Sequence, residues 1–334
     1  MNKKIIVLIA AITSIGFFLY YTDLPELKYS LKVVDQNGIA VSDADVSYSF
    51  VPGSTIDKLK HLKTDSKGIV SFHGRTPFAG AGCDITKKGY YETRGYSGKM
   101  ILNRVLNQWE PWNKTQTAVL KKIKKPVAMY AQATPYLKFP VLGELIGYDL
   151  EKGDWMAPYG KGLNSDLIFS FKHEYQTNRK FFASALISFK NELDGIQIYE
   201  KSENLRSQFH WPYEAPLEGY QKNLDKFISS NWNGKQGHLH NIIDRDGSYQ
   251  NGLYREKKDT YYIFRIRTVL DVNGKIISAK YGKIQGDFQL SRGGHLQFTY
   301  FLNPTGTRHL EFDMRKNLFE WSQKQWERTN ILKP

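Results

Sequence analysis

Residues 261–284 read YYIFRIRTVLDVNGKIISAKYGKI, and this stretch decides the fold class of the chain. Residues 261–270 alternate between apolar and polar side chains, which is typical of a half-buried β-strand. Residues 271–274, Asp-Val-Asn-Gly, then supply a turn with an Asn-Gly pair, and residues 276–284 return as a second strand. The stretch therefore predicts an antiparallel β-hairpin.

Further strands are predicted on both sides of this hairpin. Residues 166–171 and 181–189 are two apolar runs joined by a polar linker. Residues 295–302 and 310–313 add two more candidates toward the C-terminus. A twisted antiparallel sheet accounts for all of these strands.

Two segments show helical rather than strand spacing. Residues 217–232 place six apolar side chains near one helical face, and residues 316–328 show a weaker row of the same kind. The six are Leu217, Tyr220, Leu224, Phe227, Ile228 and Trp232. We therefore expect residues 123–334 to form an α+β domain in which one or two helices cover an antiparallel sheet.

The first part of the chain carries short strands separated by regular turns. Residues 27–34 alternate, residues 35–38 form an Asn-Gly turn, and residues 41–50 alternate again, which indicates a hairpin. Further turns are predicted at residues 64–68 and 87–89. The pattern predicts a β-sandwich, so the expected fold class of the whole chain is mainly β.

The turns and core positions of this first part form a recognisable motif. It reads Val34-Asp35-x-x-Gly38-x-x-Val41-x-x-Ala44-x-Val46, then Thr64-Asp65-x-x-Gly68, then Lys88-Gly89-Tyr90. The motif resembles carboxypeptidase regulatory-like domains, which have a transthyretin-like sandwich fold, although Ala40 replaces the usual proline. The resemblance covers residues 27–122. It implies a non-catalytic spacer or binding module in an exported protein and supplies no active-site residues.

The N-terminal residues 1–26 carry an export signal. Lys3 and Lys4 precede residues 5–21, which contain no charge and would span about 25 Å as a helix. We expect an uncleaved inner-membrane anchor with the remaining chain outside the bacterial cytoplasm. A cleaved signal peptide, with Ser14-Ile15-Gly16 as its processing site, is the alternative.

The charge balance favours an anionic partner. The chain has 47 Lys and Arg against 33 Asp and Glu, a formal charge of +14. An acidic envelope polymer and lipid headgroups both fit, and so does another envelope protein, whereas the export signal argues against nucleic acid. Residues 120–125 concentrate lysines, which either protect an edge strand or bind an acidic surface.

No catalytic or metal signature is found in the sequence. A nucleophile elbow, a phosphate-binding glycine loop and the His-Glu-x-x-His zinc motif are all missing. His238 and His240, with Asp244 and Asp246 nearby, lack a third ligand at a defined spacing, so we expect no metal or cofactor. The lone Cys83 excludes an intrachain disulfide and is interpreted as a buried structural residue.

Four carboxylates in the second part keep a catalytic alternative open. Glycoside hydrolysis needs only two carboxylates at a suitable separation, and Asp149, Glu151, Asp154 and Asp166 are available. A hydrolase acting on an envelope polysaccharide or peptidoglycan is therefore the alternative function. The more ordinary role of these carboxylates is in turns and at solvated strand edges.

Two aromatic segments are the candidate ligand-binding site. The loop 153–162 contains Trp155 and Tyr159 between glycines, and residues 209–213 contain Trp211 and Tyr213 around a proline. Aromatic faces stack on sugar rings, while Asp154 or Lys161 would orient a polar ligand. The competing interpretation is that these aromatics close the ends of a sandwich.

The second part also resembles uncharacterised bacterial exported proteins, in residues 147–162 and 262–267. That resemblance implies no reaction or ligand. Together, the sequence predicts a membrane-anchored envelope protein with a non-catalytic binding or scaffolding role.

Overall fold

The computed structural model describes residues 24–51, 59–177, 180–202, 205–231, 241–243, 249–251, 260–291, 293–320, 332 and 334. Within these residues the regular secondary structure is entirely β-strand. The chain divides into two compact units. The first contains the described residues up to Lys124 together with Ser202–His210, and the second contains Lys125–Lys201 and the described residues from Trp211 onward.

The first unit is built from short strands. In chain order these are β1 (Glu26–Asp35), β2 (Asp45–Tyr48), β3 (Lys60–Lys63), β4 (Ile69–Arg75), β5 (Gly82–Thr86), β6 (Thr93–Tyr96), β7 (Ile101–Asn103), β8 (Gln108–Glu110) and β9 (Lys114–Leu120). One sheet has the order β4-β1-β8-β7, with β9 also pairing in parallel with β1. The other has the order β3-β2-β5-β6.

The two sheets of the first unit share one apolar core. Tyr29 of β1 stacks on Phe72 of β4 with ring centroids 4.5 Å apart. Tyr48, from the other sheet, meets the same Phe72 edge-on at 4.8 Å. Because both sheets bury their aromatic side chains against each other, the unit is a β-sandwich.

The strand partners predicted around β1 need correction. We expected residues 41–50 to form a hairpin with β1, but β2 pairs with β3 and β5 in the opposite sheet. After the turn, only an isolated bridge joins Val34 and Ala40, and the Val41 N–H donates to the Val33 carbonyl at 2.9 Å. The alternation identified the strands correctly, but it does not encode which sheet each strand joins.

The second unit contains longer strands. They are β10 (Val127–Ala133), β11 (Leu137–Lys138), β12 (Leu145–Asp149), β13 (Asp154–Trp155), β14 (Leu167–Thr177), β15 (Lys180–Ser188), β16 (Gly195–Glu200), β17 (Asn223–Asn231), β18 (Asn241–Ile243), β19 (Tyr249–Asn251), β20 (Thr260–Leu270), β21 (Ile276–Leu290), β22 (His295–Asn303) and β23 (Phe312–Asn317).

Two large sheets enclose the core of the second unit. One has the order β16-β20-β21-β22-β10-β23, with β11 beside β22, and the other has the order β13-β12-β14-β15-β17. The ring centroid of Phe169 on β14 lies 6.3 Å from that of Phe288 on β21 and 6.2 Å from that of Phe298 on β22, so aromatic contacts join the sheets. The hairpin predicted from residues 261–284 is confirmed as β20 and β21.

The predicted covering helices are wrong. Within residues 217–232, Asn223–Asn231 forms strand β17, which pairs along its whole length with β15. Gly219 has a φ of +90°, which a right-handed helix does not accept, and the sheet edge of β15 offers a full set of backbone partners. The described part of the chain is therefore all β rather than α+β.

The second expected helix is also replaced by a strand where the chain is described. Lys316 and Asn317 end strand β23, and the Asn317 amide bonds the backbone of Ala131 on β10 in both directions, at 3.2 and 2.8 Å. This pairing holds the segment extended at the sheet edge. Residues 321–328 lie outside the described residues.

Several other predictions concern residues that are not described. The apolar segment 5–21 and the pair His238 and His240 with Asp244 and Asp246 all lie outside the described residues. The described part of the chain contains no helix with the length and apolarity needed to cross a membrane. The expectation of an N-terminal anchor therefore stays a prediction.

Candidate functional site

The loop that joins β12 to β14 is organised by Asp149. Its Oδ1 accepts the N–H groups of Glu151 and Lys152 at 2.8 and 3.0 Å, just after the strand ends. Its Oδ2 accepts the N–H groups of Leu163 and Asn164, both at 2.9 Å, where the loop returns. One buried carboxylate thus holds both ends of the loop in place.

Inside this loop lie four of the six predicted ligand-binding residues. Trp155 is buried and packs edge-on against Tyr148 at 5.3 Å, so its ring belongs to the core. The Asp154 carboxylate accepts the N–H groups of Trp155 and Lys161 at 2.8 and 2.9 Å and closes a smaller loop. The side chains of Tyr159 and Lys161 are exposed.

The other two predicted residues belong to a separate place in the second unit. Trp211 is fully buried, stacks on Tyr199 at 5.4 Å, and lies beneath the Lys283 ammonium, 5.2 Å from the ring centroid. Tyr213 is half-buried, and its carbonyl accepts the Leu310 N–H at 3.0 Å. The prediction of a joint aromatic ligand site is neither supported nor tested by these contacts.

Strand β20 contains a bulge that redirects one arginine. Pairing with β21 shifts register between Ile266 and Val269, and Arg267 has a φ of +54°. The Asp194 carboxylate accepts the N–H groups of Arg267 and Thr268 at 3.0 and 2.9 Å and so stabilises the bulge. Positive φ is costly for a long side chain, and such bulges often re-aim a side chain at a functional site.

The redirected Arg267 gathers three carboxylates. Its Nε and Nη2 donate to the two oxygens of Asp166 at 2.7 and 2.8 Å. Its Nη1 lies 3.2 Å from Glu151, and Nη2 lies 3.6 Å from Asp149. Lys280 forms a further ion pair with Glu151. Three of the four carboxylates considered for hydrolysis are therefore ion-paired with one guanidinium.

Burial and hydrogen bonding shift the pKa values within this cluster in different directions. Burial raises the pKa of Asp166, and hydrogen bonds from Arg267 and from the Leu150 N–H oppose that rise. Burial also acts to raise the pKa of Asp149, but its backbone N–H donors outweigh it and hold the pKa below its usual value. Burial acts to lower the pKa of Arg267, and the bond to Asp166 reverses this.

A cleft of about 430 Å³ opens beside the Arg267–Asp166 pair. Met156, Leu163 and Val269 supply apolar surface to its wall. The polar part of the described lining consists of Asn164, Ser165, Asn191 and Thr268 together with Lys190 and the ion pair itself. The six predicted ligand-binding side chains all lie elsewhere. The volume of the cleft lies within the range of about 300–1,000 Å³ that is typical of small-molecule sites.

The polar groups that line the cleft differ in how accessible they are. The hydroxyl of Thr268 is buried and has no hydrogen-bond partner among the described residues. Lys190 is exposed and has no carboxylate within ion-pair distance in the described part of the chain. The Asn191 amide donates to the Asp194 carboxylate at 2.9 Å. A ligand with several hydroxyls and an acidic group would match these donors and acceptors.

Part of this cluster is visible in the sequence. Asp149, Glu151 and Asp166 stand out there as candidate carboxylates, but the sequence does not connect them to Arg267, Asp194, Lys190 or Thr268. The sequence signal is a pair of arginines, Arg265 and Arg267, in a largely apolar strand, and it does not show which of them meets the carboxylates. The bulge that turns Arg267 toward the carboxylates has no sequence signature of its own, so the cluster required the structure.

The lysines of the basic run at residues 120–125 differ in exposure, since Lys121 is buried while Lys122, Lys124 and Lys125 are exposed. Lys121 is buried with its ammonium 4.5 Å from the Phe209 ring centroid, and Lys122 lies 3.8 Å from the Asp35 carboxylate. No group of three or more potential metal ligands occurs among the residues that the structure describes. Cys83 is buried, and burial raises its thiol pKa to about 12.

No family model matches the chain, and no curated protein matches it. The regulatory-like assignment of the first part therefore stays a prediction.

Seventeen chains of solved structure match it. The 3-chlorocatechol 1,2-dioxygenase of Rhodococcus opacus 1CP matches 30% of the chain at 13% identity, with a TM-score of 0.23. BcpA, the major pilin subunit of Bacillus cereus, matches 84% of this chain and 97% of its own at 10% identity and a TM-score of 0.22.

A putative membrane-associated protein of unknown function from Bacteroides fragilis NCTC 9343 matches 83% of this chain and 95% of its own, at 11% identity and a TM-score of 0.19. The chain spans 60% of the length of the chlorocatechol dioxygenase and 53% of the catechol 1,2-dioxygenase of Acinetobacter radioresistens. Similarities this low carry no argument about the activity of this chain.

Proposed function

We propose that this chain is a non-catalytic binding protein of the bacterial cell envelope. In this proposal residues 5–21 anchor it in the inner membrane, the first unit is a regulatory-like spacer, and the second unit binds a ligand outside the cytoplasm. The observation that carries the proposal is the cleft beside Arg267, where the Asp166 carboxylate is ion-paired with Arg267 while the exposed Lys190 lies on the cleft wall.

The ligand we propose is a sugar unit of an anionic envelope glycan. The hydroxyl and amide groups of Ser165, Asn164 and Asn191 suit sugar hydroxyls, and Met156 and Leu163 suit the apolar face of a ring. Arg267 is neutralised by its own carboxylates, which leaves Lys190 as the cation available to an acidic substituent.

A hydrolytic role is less well supported by the same geometry. A glycosidase needs one carboxyl that is free to protonate the leaving group and a second that acts as base or nucleophile. Asp166 is committed to a bidentate bond with Arg267, and both oxygens of Asp149 accept backbone N–H groups. Neither group has an oxygen free of strong donors.

The proposal is tested by measuring retention and cleavage together. The detergent-solubilised full-length chain is incubated with insoluble peptidoglycan and with acidic and neutral soluble glycans, and bound protein and released reducing ends are quantified. We expect retention on an acidic glycan that weakens with salt, because exposed charges are screened at physiological ionic strength. Release of reducing ends, or equal retention on neutral glycans, would contradict the proposal.

A matched pair of lysine variants assigns the binding to the cleft. Lys190→Gln removes the proposed ligand cation, and we expect roughly tenfold weaker retention, since a charged hydrogen bond contributes about 1.5 kcal/mol or more. Lys275→Gln removes an exposed lysine from the β20–β21 turn and should leave retention unchanged. Equal loss in both variants would mean that only net charge matters.

A further inference from the structure

The chain enters the first unit at a rigidly held point. The Leu24 side chain is buried, and its carbonyl accepts a bond from Arg75 at 2.8 Å. The Pro25 carbonyl accepts the Thr76 N–H at 3.0 Å, and the Glu26 N–H donates to the Asn107 carbonyl at 2.9 Å. Backbone hydrogen bonds therefore fix the position of residues 24–26 relative to the rest of the sandwich.

Two loops beside this entry point expose large apolar side chains. The loop after β4 carries Phe78, which is 53% exposed, and the loop between β7 and β8 carries Val105 and Leu106, which are 93% and 60% exposed. Arg104 beside them is exposed as well. Solvent exposure of several neighbouring apolar side chains marks a surface that contacts a partner.

Both loops are held in shape by their own side chains. The Asn103 Oδ1 accepts the N–H groups of Val105 and Leu106, both at 3.1 Å. The Thr76 hydroxyl accepts the Phe78 N–H at 3.2 Å. The apolar tips are thus fixed outward in advance, which lowers the entropic cost of binding.

We propose that this end of the first unit lies against the lipid bilayer, with Phe78, Val105 and Leu106 inserted among the headgroups. The inference rests on the proposed anchor: if residues 5–21 cross the membrane, Leu24 follows Tyr21 by three positions, and the chain between them spans at most about 10 Å. The held entry point therefore brings both loops to the interface. The apolar tips then enter the headgroup layer, and Arg104 meets anionic lipid.

The opposite end of strand β1 provides a matched control. β1 contains ten residues and therefore carries the chain about 33 Å away from the entry point. Ile39 follows the turn at that far end and is 63% exposed, so it resembles Val105 in size and exposure. If the proposal is right, a probe at this position stays in water.

Depth-sensitive fluorescence in vesicles tests the proposal. The full-length chain carrying Val105→Cys or Ile39→Cys is labelled with an environment-sensitive fluorophore and reconstituted into phosphatidylcholine–phosphatidylglycerol vesicles. Native Cys83 is buried and should not compete for the label. We expect a lipid-borne quencher to reduce the emission at position 105 roughly twofold, as for a group buried about 5–10 Å into the interface, and to leave position 39 unchanged.

The outcomes separate this inference from the function that it builds on. Vesicle-bound chain whose two probes respond alike to the lipid-borne quencher would overturn the membrane contact but leave the anchor intact. A probe at position 105 that is shielded from aqueous iodide without being quenched from the lipid would indicate a protein partner and also overturn it. Chain that does not co-float with vesicles would remove both the anchor and this inference.

Discussion

A single carboxylate, Asp149, holds both ends of the β12–β14 loop by accepting four backbone N–H groups. Its backbone donors hold the carboxyl pKa below its usual value against the effect of burial. A group with a lowered folded-state pKa contributes stability above its unfolded pKa, about 3.9, and that contribution is lost as the pH falls through the lower folded value.

We therefore predict a pH-dependent effect for Asp149→Asn. At pH 7 the variant should lose about 2–3 kcal/mol of unfolding free energy, because buried N–H groups lose a charged acceptor. The difference from the native chain should begin to shrink as the pH falls below about 4, where the unfolded-state carboxyl takes up a proton, and it should disappear below the lowered pKa of the folded state. Denaturant unfolding across this range measures it, and a difference that does not change with pH would contradict the assignment.

Arg267 is predicted to contribute strongly to stability because it is the shared cation of three carboxylates. Arg267→Met leaves Asp166, Asp149 and Glu151 without their shared cation, and we expect a loss of about 3–5 kcal/mol. The double variant Arg267→Met with Asp166→Asn should recover part of this loss, because it also removes a buried charge. Denaturant unfolding of the single and double variants provides the cycle, and additive losses would show that the pair is not coupled.

The sequence reveals only some of the residues that form the site. Carboxylates near glycines were visible in the sequence as candidate groups. Their partner Arg267 was not, because its direction depends on a bulge and on Asp194 from a distant segment. Trp155 and Trp211 are candidates for ligand stacking in the sequence, and both are buried in the structure. Composition alone does not separate a core aromatic from a binding one.

Three turns between strands share the sequence Asp-x-x-Gly and the same hydrogen bonds. In each, the aspartate Oδ1 accepts two backbone N–H groups and the glycine has a φ between +73° and +80°. The turns are Asp35–Gly38, Asp65–Gly68 and Asp271–Gly274. This repeated chemistry explains why the turns were predictable from sequence.

Gly68 and Gly38 allow the steric part of this construction to be measured. A Cβ at Gly68 would lie 2.4 Å from the Val33 carbonyl oxygen, whereas a Cβ at Gly38 has nothing within 4 Å. Both Ala variants take on the strain of positive φ, about 1 kcal/mol. We predict that Gly38→Ala loses about that much unfolding free energy and that Gly68→Ala loses at least about 1 kcal/mol more, as for overpacking.

Thermal or denaturant unfolding of the two variants measures this difference directly. Equal losses would mean that the chain around Val33 relaxes freely.

The helix predictions were wrong because of strand pairing. The spacing of residues 217–232 favoured a helix, but pairing with β15 determined the structure. Local periodicity predicts an element only when no sheet edge competes for its backbone.

At the scale of the whole molecule, the mainly β class followed from the sequence, but the membership of each sheet did not. β1 illustrates this, since it pairs with β4, β8 and β9, while the strand that follows it in sequence lies in the opposite sheet. Such pairings depend on which apolar faces pack together across the core. Alternation shows that a face is buried, but it does not show against what.

The proposed membrane topology can be measured by cysteine labelling, because the native Cys83 is buried. Cys83 is buried and its thiol pKa is raised to about 12, so the native chain should resist a membrane-impermeant maleimide at pH 7 until it is denatured. Val272 is fully exposed at the tip of the β20–β21 hairpin, so Val272→Cys should react readily in intact spheroplasts. Asn2→Cys, placed before the proposed anchor, should react only after lysis. Labelling of Val272→Cys that also requires lysis would put the second unit in the cytoplasm and contradict the proposed envelope function.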